Sequence, residues 1–378
     1  MIHFITSNRK RAELELLLGG LPLSFTRLTL PRPSAALLAE RAQERAASAF
    51  AELGQGCIAE VTELRTAAGG FSGADYKKAL EREGDEFHAR IAGPAVAAVA
   101  VAYVDGEQTL VFEGALHGEL LAEPRGSGGI GWDGTFQPED TTQTLAEMRH
   151  HKSFTNMRLR PFLELADALR GRSFGGVFEA HITVALVGEE ELVRFDALCS
   201  DLAVKSIHIV LPRGEIRFQP MTSSYHHGEL LAVQGEVFEL ARRIAGAGFE
   251  VTRAKIEATG SNREIPQSDA DAESFPHNYF EFHVKTRIAP SADAGKLAEA
   301  VSLHGAHLSR NARKVFADGT RQHFVTLRVY EAGRRRAEER FATLRDAIQQ
   351  AGFEWREPIR EYTVYDSNVS VDKGWLPT

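Results

Sequence analysis

The chain contains very little cysteine, and it lacks other features of a secreted or membrane-embedded protein. Cys57 and Cys199 are the two cysteines among 378 residues, and because they lie far apart in the sequence, we expect neither a disulfide framework nor a Cys-x-x-Cys metal site. Nowhere do uncharged apolar residues run for the ~18 positions that a membrane-spanning helix needs, and residues 1–10 do not follow the pattern of a signal peptide. We therefore expect a cytoplasmic protein without a membrane span.

The chain also lacks an excess of positive charge. Lys and Arg number 44 and Asp and Glu number 52, which gives a net charge of -8 at pH 7 and argues against general binding to duplex nucleic acid. Hydrophobic residues make up 43% and charged residues 25% of the chain, as in ordinary soluble globular proteins. The length predicts two or three domains.

The first half of the chain alternates predicted strands and helices. The apolar pattern indicates strands at 2–5 and 57–64, an amphipathic helix at 34–53, and a buried strand pair at 95–104 and 108–121. Such an alternation is typical of an α/β fold.

Two segments of this half have the composition of ligand-binding loops. A polar turn follows the first strand and leads into cationic side chains, an arrangement that suits an anionic ligand at a helix start. Further along, glycines at 126, 128, 129 and 131 permit a backbone that wraps around a ligand, Trp132 offers a face for stacking and Asp133 offers a hydrogen-bond acceptor. The candidate ligands in the first segment are Thr6, Asn8, Arg9, Lys10 and Arg11.

The order of these segments resembles the inosine/xanthosine triphosphate pyrophosphatase family over about residues 1–171. The turn Thr6-Ser-Asn with Arg11 is similar to the family's T-G-N-x-x-K motif, and Glu40-Arg-Ala with Arg45 is similar to its E-N-A-x-x-K helix. Residues 124–136 resemble its glycine-rich nucleobase loop. Residues 144–148, Lys152-Ser and Arg158 resemble its closing segment, T-x-A-E-L, K-S and S-H-R. The resemblance implies Mg²⁺-dependent hydrolysis of deaminated purine nucleoside triphosphates to monophosphate and pyrophosphate, and a homodimer.

The resemblance also implies roles for individual residues. Lys152 and Arg158 would hold phosphates together with the candidate ligands of the first turn, and Glu40 and Glu60 would bind Mg²⁺. The nucleobase would lie against the loop residues Gly128, Gly129, Trp132 and Asp133.

The sequence departs from the family where the catalytic carboxylates are expected. The family's A-D-D-S-G reads 59-Ala-Glu-Val-Thr-Glu-63 here, so Glu60 could still bind a metal but Val61 cannot act as a base. Glu63 or Asp75 could replace the missing base. The family's S-H-R reads 156-Asn-Met-Arg-158, which removes the histidine that contacts the purine. We therefore expect a bound nucleotide or related phosphate ester, with altered specificity, slow hydrolysis, or both.

An internal duplication follows a glycine-rich linker at 171–176. Phe178-Glu-Ala-His181 recurs as Phe280-Glu-Phe-His283, and Ala247-Gly-Phe-Glu250 recurs as Ala351-Gly-Phe-Glu354, 102 to 104 residues later. Each copy reads strand, helix, strand, strand, helix, strand, which is the order of a ferredoxin-like unit. We expect an α/β domain at 1–171, an α+β domain of two ferredoxin-like repeats at 177–258 and 279–378, the second with the C-terminal tail, and a cleft between their sheets.

Alternation along these strands gathers polar residues on one face of each copy. The catalytic candidates on this face are His181 and His283, each preceded by a glutamate two positions earlier. Cations on the same face predict a phosphate site, since guanidinium and ammonium groups bind phosphate oxygens. These cations are Arg253, Lys255, Lys285 and Arg328.

Two further families are loosely similar to the duplicated half. The two-histidine phosphoesterases carry H-x-T/S in both lobes; His181-Ile-Thr fits this motif, but His283-Val-Lys does not. The CYTH triphosphate-tunnel enzymes carry E-x-E-x-K, which resembles 281-Glu-Phe-His-Val-Lys-285 with His in place of the second Glu.

Three hypotheses for the whole chain follow. The first is a Mg²⁺-dependent nucleoside triphosphate hydrolase with a second phosphate-binding domain. The second is a nucleotide-binding module that has lost hydrolysis, with any activity in the C-terminal cleft. The third is a C-terminal scaffold for oligomerisation, which would not need the repeated Glu-x-His pairs.

Overall fold

The chain divides into two compact units in the computed structural model, Met1–Arg172 (unit 1) and Ser173–Thr378 (unit 2). Among the described residues, no helix is both long and apolar enough to cross a membrane. The structure describes residues 1–378 apart from 7–10, 12, 13, 15, 16, 19, 20, 128, 140, 149–151, 153, 154, 172, 261, 263, 290–293, 377, 378 and the side chain of 357.

Unit 1 is a mixed β-sheet with helices, which confirms the predicted α/β class. The strands run in the order β2-β1-β3-β5-β6-β7, and β4 pairs with β3. The strands are β1 (Ile2–Ile5), β2 (Leu23–Thr26), β3 (Cys57–Thr66), β4 (Gly69–Ser72), β5 (Gly93–Val104), β6 (Thr109–Leu120) and β7 (Phe136–Pro138). The helices are α1 (Leu38–Leu53), α2 (Gly73–Glu83), α3 (Asp85–Ile91) and α4 (Leu159–Arg170).

Helix α1 packs on one face of this sheet through small side chains. Ala42 and Ala46 of α1 form a buried cluster with Ala59 of β3 and alternate residues of β5, and Val61 packs against the cluster. Because successive side chains of a strand point to opposite faces, Glu60 points away from α1. Its cross-strand partner Val101 shares that opposite face.

Unit 2 contains the duplicated half. Its strands are β8 (Gly175–Ala185), β9 (Lys205–Val210), β10 (Phe218–Glu229), β11 (Glu250–Thr259), β12 (Tyr279–Ile288), β13 (Ala306–Val315), β14 (Arg321–Tyr330) and β15 (Trp355–Asp366). Its helices are α5 (Glu189–Asp201), α6 (Leu230–Gly246), α7 (Asp269–Ala272), α8 (Ala294–Ser302) and α9 (Arg334–Gln350), followed by a 3-10 turn at Val369–Asp372.

The strands of unit 2 close into a barrel in the order β10-β8-β11-β15-β12-β14-β13-β9. The first copy contributes β11-β8-β10-β9 and the second contributes β15-β12-β14-β13, so the two copies have the same internal order. They meet at antiparallel pairs between β11 and β15 and between β9 and β13. The expected open cleft between two sheets is therefore wrong, because both edges of each sheet find hydrogen-bond partners in the other copy.

The polar faces predicted for the strands line the interior of this barrel. On β8, Glu179, His181 and Thr183 line the internal cavity, whereas Phe178 and Ile182 on the other face are fully buried. The alternation rule thus placed the polar side chains on a common surface, although that surface encloses a cavity instead of bordering a cleft.

Candidate functional site

An ion pair in unit 1 joins the glycine-rich loop to Lys152. The Lys152 ammonium donates to Asp133 Oδ2 at 2.5 Å, and the Ile130 backbone N–H donates to the same oxygen at 2.6 Å. A Cβ on Gly129 would lie 2.5 Å from Asp133 Cβ, and the φ angle of Gly129 is +107°, so glycine is required at this position. The loop is thus shaped around the Asp133 carboxylate.

A second ion pair joins Arg158 to Glu60. Arg158, at the start of α4, donates from Nε to Glu60 Oε2 at 2.9 Å, and the two side chains are only 11% and 7% exposed. The structure therefore pairs Arg158, which was predicted to bind phosphate, with Glu60, which was predicted to bind a metal ion. Poor exposure to water strengthens this attraction relative to a surface pair.

Trp132 lies inside unit 1. Its side chain is 5% exposed, and its ring meets Tyr76 of α2 edge to face, with 5.7 Å between ring centroids. The Tyr76 hydroxyl lies 3.0 Å from His88 Nε2 and 3.2 Å from Thr135 Oγ1, and burial raises the pKa of Tyr76 and lowers that of His88. Sequence motifs gave no signal for Tyr76 or His88; base stacking on Trp132 stays a prediction.

The predicted metal ligands Glu40 and Glu60 lie on different elements of unit 1. Glu40 is an exposed residue in the first turn of α1, while Glu60 points to the face of the sheet opposite α1. At the position of the family's second carboxylate, Val61 faces α1. Binding of a common Mg²⁺ by Glu40 and Glu60 stays a prediction.

The two replacement bases are each held by an arginine. The Glu63 carboxylate pairs with Arg41 of α1. Asp75 accepts a hydrogen bond from Ser72 and pairs with Arg32 at 2.5 Å, and these contacts lower the pKa of Asp75. A lowered pKa makes a carboxylate a weaker general base.

The remaining predicted ligands of unit 1 lie at its first strand and in the glycine-rich loop. Thr6 follows β1, and its backbone N–H donates to Thr26 O at 3.3 Å. The Arg11 guanidinium lies 5.1 Å from the centre of the Phe25 ring. Outside the described residues lie Asn8, Arg9, Lys10 and Gly128.

Unit 2 encloses a cavity of about 240 Å³ inside the barrel. Both Glu-x-His pairs border it, so the structure brings together the residues that the duplication suggested. Its polar lining includes Glu179, His181, Arg253, Lys255, Glu281, His283, Lys285, Arg328 and Glu361.

Three of the four predicted phosphate-binding cations are already neutralised by buried carboxylates. Arg253 binds Asp366 with two nitrogens and reaches Asp372 Oδ2 at 2.9 Å. Arg328 pairs with Glu281 and lies 2.7 Å from Asp372 Oδ2. An anion at Arg253 or Arg328 would first have to displace a carboxylate from a buried ion pair, and phosphate binding by these two residues stays a prediction.

Lys255 is occupied in the same way. Its ammonium lies 2.8 Å from Glu257 Oε1 and 3.1 Å from Glu281 Oε1. Burial lowers its pKa, but the two glutamates outweigh burial and raise the pKa above the usual range. Lys255 is therefore held by two carboxylates, and phosphate binding by this residue stays a prediction too.

The C-terminal tail supplies counterions to the barrel. No sequence motif predicts a role for Asp366 or Asp372, which lie 113 and 119 residues from Arg253. Burial raises the pKa of Asp372, but Arg253 and Arg328 outweigh burial and lower it to about 2. The sequence did carry one indication of such counterions: cations on strands that become buried require carboxylate partners.

The two predicted catalytic histidines lie among carboxylates. His181 Nε2 is 3.3 Å from Glu257 Oε2 and 3.7 Å from Glu179 Oε1. His283 Nε2 is 3.1 Å from Glu281 Oε1 and 3.7 Å from Glu361 Oε2. Their catalytic role stays a prediction, but their surroundings are acidic in both copies.

Unit 1 combines an α/β sheet with a glycine-rich loop that Lys152 holds through Asp133. The Ham1 family model matches residues 2–168. The inosine triphosphate pyrophosphatase of Kluyveromyces lactis is 32% identical over 188 residues, which span 44% of this chain and 95% of that relative. The chain belongs to the Ham1 family through unit 1, as the resemblance in the sequence suggested.

Other relatives match the chain to different extents. The dITP/XTP pyrophosphatase of Deinococcus deserti is 31% identical over 154 residues, or 37% of this chain and 74% of the relative. The dITP/XTP pyrophosphatase of Thermococcus kodakarensis is 42% identical over 71 residues, and the match spans only 38% of the length of that relative. The solved structure of a HAM1 protein from Coxiella burnetii matches with 23% identity and a TM-score of 0.36. The matched region covers 45% of this chain and 98% of the Coxiella burnetii chain.

Proposed function

We propose that unit 1 binds deaminated purine nucleoside triphosphates and hydrolyses them slowly to monophosphate and pyrophosphate, with the help of a divalent cation such as Mg²⁺. The observation that carries the proposal is the position of Val61, which packs into the apolar cluster under α1 where the family has a carboxylate. A homodimer and a cytoplasmic location belong to the same proposal.

Nucleotide binding is supported by the two ion pairs of unit 1. Lys152 and Arg158 are held in defined positions by Asp133 and Glu60, so both cations are ordered before a ligand arrives. A triphosphate offers several oxygens and more negative charge than one carboxylate, and charge-assisted hydrogen bonds to phosphate are strong. Such a ligand can therefore exchange with the carboxylates.

Slow hydrolysis is supported by the absence of a base on the α1 face at position 61. A positioned general base contributes about 10²–10⁴-fold to a rate. Val61 supplies no proton acceptor, and the neighbouring Glu60 carboxylate lies on the other face of the sheet with Arg158. Glu63 shares the α1 face, but its carboxylate is bound by Arg41.

The experiment compares pyrophosphate release by the wild type, Val61→Asp and Val61→Asn with dITP, XTP, ATP and GTP and a divalent cation. Val61→Asp should raise the rate by about tenfold or more, whereas Val61→Asn, which has the same size but no base, should not. Calorimetry with non-hydrolysable analogues measures binding separately. Equal rates in both variants, or no nucleotide binding, would overturn the proposal.

We propose that unit 2 consists of two ferredoxin-like repeats with an anion-binding site at one mouth of the barrel. The first part is supported by the equivalent strand orders of the two copies. The second is supported by a cavity of about 700 Å³ whose described lining has a single carboxylate, Glu354. The cations that line it are Lys205, Lys285, Arg287, Lys314 and Arg356.

Tripolyphosphate is a suitable probe for this mouth, because multiple cations favour a ligand with several phosphates. Calorimetry should show weaker binding to Lys314→Ala and to Arg356→Ala than to the wild type. Arg313→Ala is the matched control, since Arg313 pairs with Asp196 and does not line the cavity. Equal weakening in all three variants would indicate only a general charge effect and would contradict the site.

A further inference from the structure

We infer that the barrel of unit 2 holds a divalent transition-metal ion of the Zn²⁺ type, bound by Glu257, His283 and Glu361, with the imidazole of His181 beside it. This site lies in unit 2 and does not depend on the nucleotide site proposed for unit 1.

The three ligand atoms are already close together. One atom each from Glu257, His283 and Glu361 lie within 4.8 Å of one another. Atoms around a single ion with bonds of about 2.1 Å are about 3.4–4.2 Å apart. Side-chain rotations that move the ligand atoms by about 1 Å therefore bring all three atoms to bonding distance from one ion.

The strongest sign of a missing partner is at Glu257. Its Oε1 receives Lys255 at 2.8 Å and Thr363 at 3.3 Å, but its buried Oε2 has no hydrogen-bond partner. The side chain is 0% exposed, so water does not solvate this oxygen from outside. His181 Nε2 lies 3.3 Å from this oxygen but carries no proton when Nδ1 donates to the Thr222 carbonyl, so the oxygen accepts no hydrogen bond from it. A buried carboxylate oxygen without a hydrogen bond is costly, and a metal ion removes that cost.

The histidines are oriented as metal ligands usually are. His181 Nδ1 lies 2.9 Å from the backbone oxygen of Thr222, which only accepts, so Nδ1 carries the proton and Nε2 of the neutral ring presents its lone pair. His283 Nδ1 contacts Thr326 Oγ1 at 2.9 Å. The bond to the carbonyl fixes the tautomer and the ring orientation of His181, whereas the Thr326 hydroxyl, which can donate or accept, holds only the ring orientation of His283.

The charges around the cluster also call for a cation. His181 Nε2 lies 3.3 Å from Glu257 Oε2, and His283 Nε2 lies 3.1 Å from Glu281 Oε1 and 3.7 Å from Glu361 Oε2. A cation among these groups balances carboxylate charge that is buried away from water.

The ligand set indicates the kind of metal. Imidazole nitrogens suit Zn²⁺ and related transition metals, whereas Mg²⁺ prefers oxygen ligands and retains several waters. Two glutamates with one or two histidines are a mixed nitrogen and oxygen set, as in many zinc sites. We therefore expect Zn²⁺ to bind at least as tightly as Mn²⁺ and far more tightly than Mg²⁺.

The test is calorimetric titration of the metal-stripped full chain with Zn²⁺, followed by titration with Mg²⁺. The wild type should bind about one equivalent at this site, and Glu257→Gln and His283→Asn should each weaken that binding by about tenfold or more. The Zn²⁺-dependent rise in the thermal unfolding temperature should shrink in the same variants. Circular dichroism checks that both variants are folded.

His226→Ala is the matched control, because His226 pairs with Glu236 and is not among the described residues that line the cavity. It should bind Zn²⁺ like the wild type. No Zn²⁺ binding by the wild type, or equal binding by the wild type and Glu257→Gln, would overturn the proposal whatever the result of the nucleotide assays. If one variant does not fold, the other decides.

Discussion

Arg253 and Asp366 form a bidentate ion pair inside the barrel although 113 residues separate them. Their side chains are 5% and 3% exposed, and Tyr279 donates a further hydrogen bond to Asp366 at 2.7 Å. The pair joins β11 of the first copy to the end of β15 in the second. It is therefore both a charge contact and a link between the copies.

Asp366→Asn should destabilise the protein strongly, because it leaves the Arg253 guanidinium buried without its main counterion. Breaking one side of a buried pair costs about 3–5 kcal/mol. The free energy of unfolding from urea denaturation, followed by circular dichroism, measures the loss. Glu239→Gln removes the exposed partner of Arg242 and should cost under about 1 kcal/mol; similar losses in both variants would contradict the prediction.

Gly129→Ala should weaken nucleotide binding by unit 1. The new Cβ would collide with Asp133, which Lys152 and the Ile130 N–H both contact. A strain of about 1–3 kcal/mol corresponds to about 5- to 140-fold in affinity, measured by calorimetry with a non-hydrolysable analogue. Gly131→Ala is the control, because its φ is also positive but nothing lies within 4 Å; an equal loss there would point to backbone strain alone.

Glu361→Gln should flatten the pH dependence of stability in metal-free protein. Burial and Glu257 raise the pKa of Glu361 in the folded state, so folded protein binds more protons than unfolded protein above about pH 4.5. The wild type should lose stability as the pH rises from about 5 to 8, and the variant should lose less. Urea midpoints across this range provide the measurement, and parallel curves would refute the assignment.

The two thiols should be unreactive in the native protein. Cys57 and Cys199 are 0% and 1% exposed, and burial raises the pKa of each to about 11. Because the thiolate is the reactive form, a thiol reagent at about pH 8 should label the chain slowly until denaturant is added. Rapid labelling of a native thiol would show that one of these sites opens.

Local patterns predicted the surfaces of this protein better than its contacts across long distances in sequence. Alternation placed Glu179 and His181 on a polar face, and the motif order identified the family of unit 1. The same alternation rule, applied to Glu60 and Val61, places these two side chains on opposite faces of β3, so only one of the two positions can face α1. Motif matching compares residue types and ignores the face on which each side chain lies.

Barrel closure and the neutralisation of its cations could not be predicted in this way. The pairing of β9 with β13 depends on the curvature of both sheets. No short segment of the sequence indicates that curvature. Asp372 reaches Arg253 and Arg328 only after the chain has closed the barrel and turned back at 369–372. The carboxylates that pair with Arg253 and Arg328 lie far from them in the sequence. The cations could therefore be recognised from the sequence, but their counterions could not, and a phosphate site was predicted.

The joining of both copies in one chain allows the barrel to be asymmetric. Two identical chains closing the same barrel would place identical side chains at equivalent positions. Here Lys255 corresponds to Ile359 and Arg328 corresponds to Tyr225, so neither of these buried cations has a cationic counterpart in the other copy. The duplication therefore kept a symmetric backbone while each half acquired a different share of the interior chemistry.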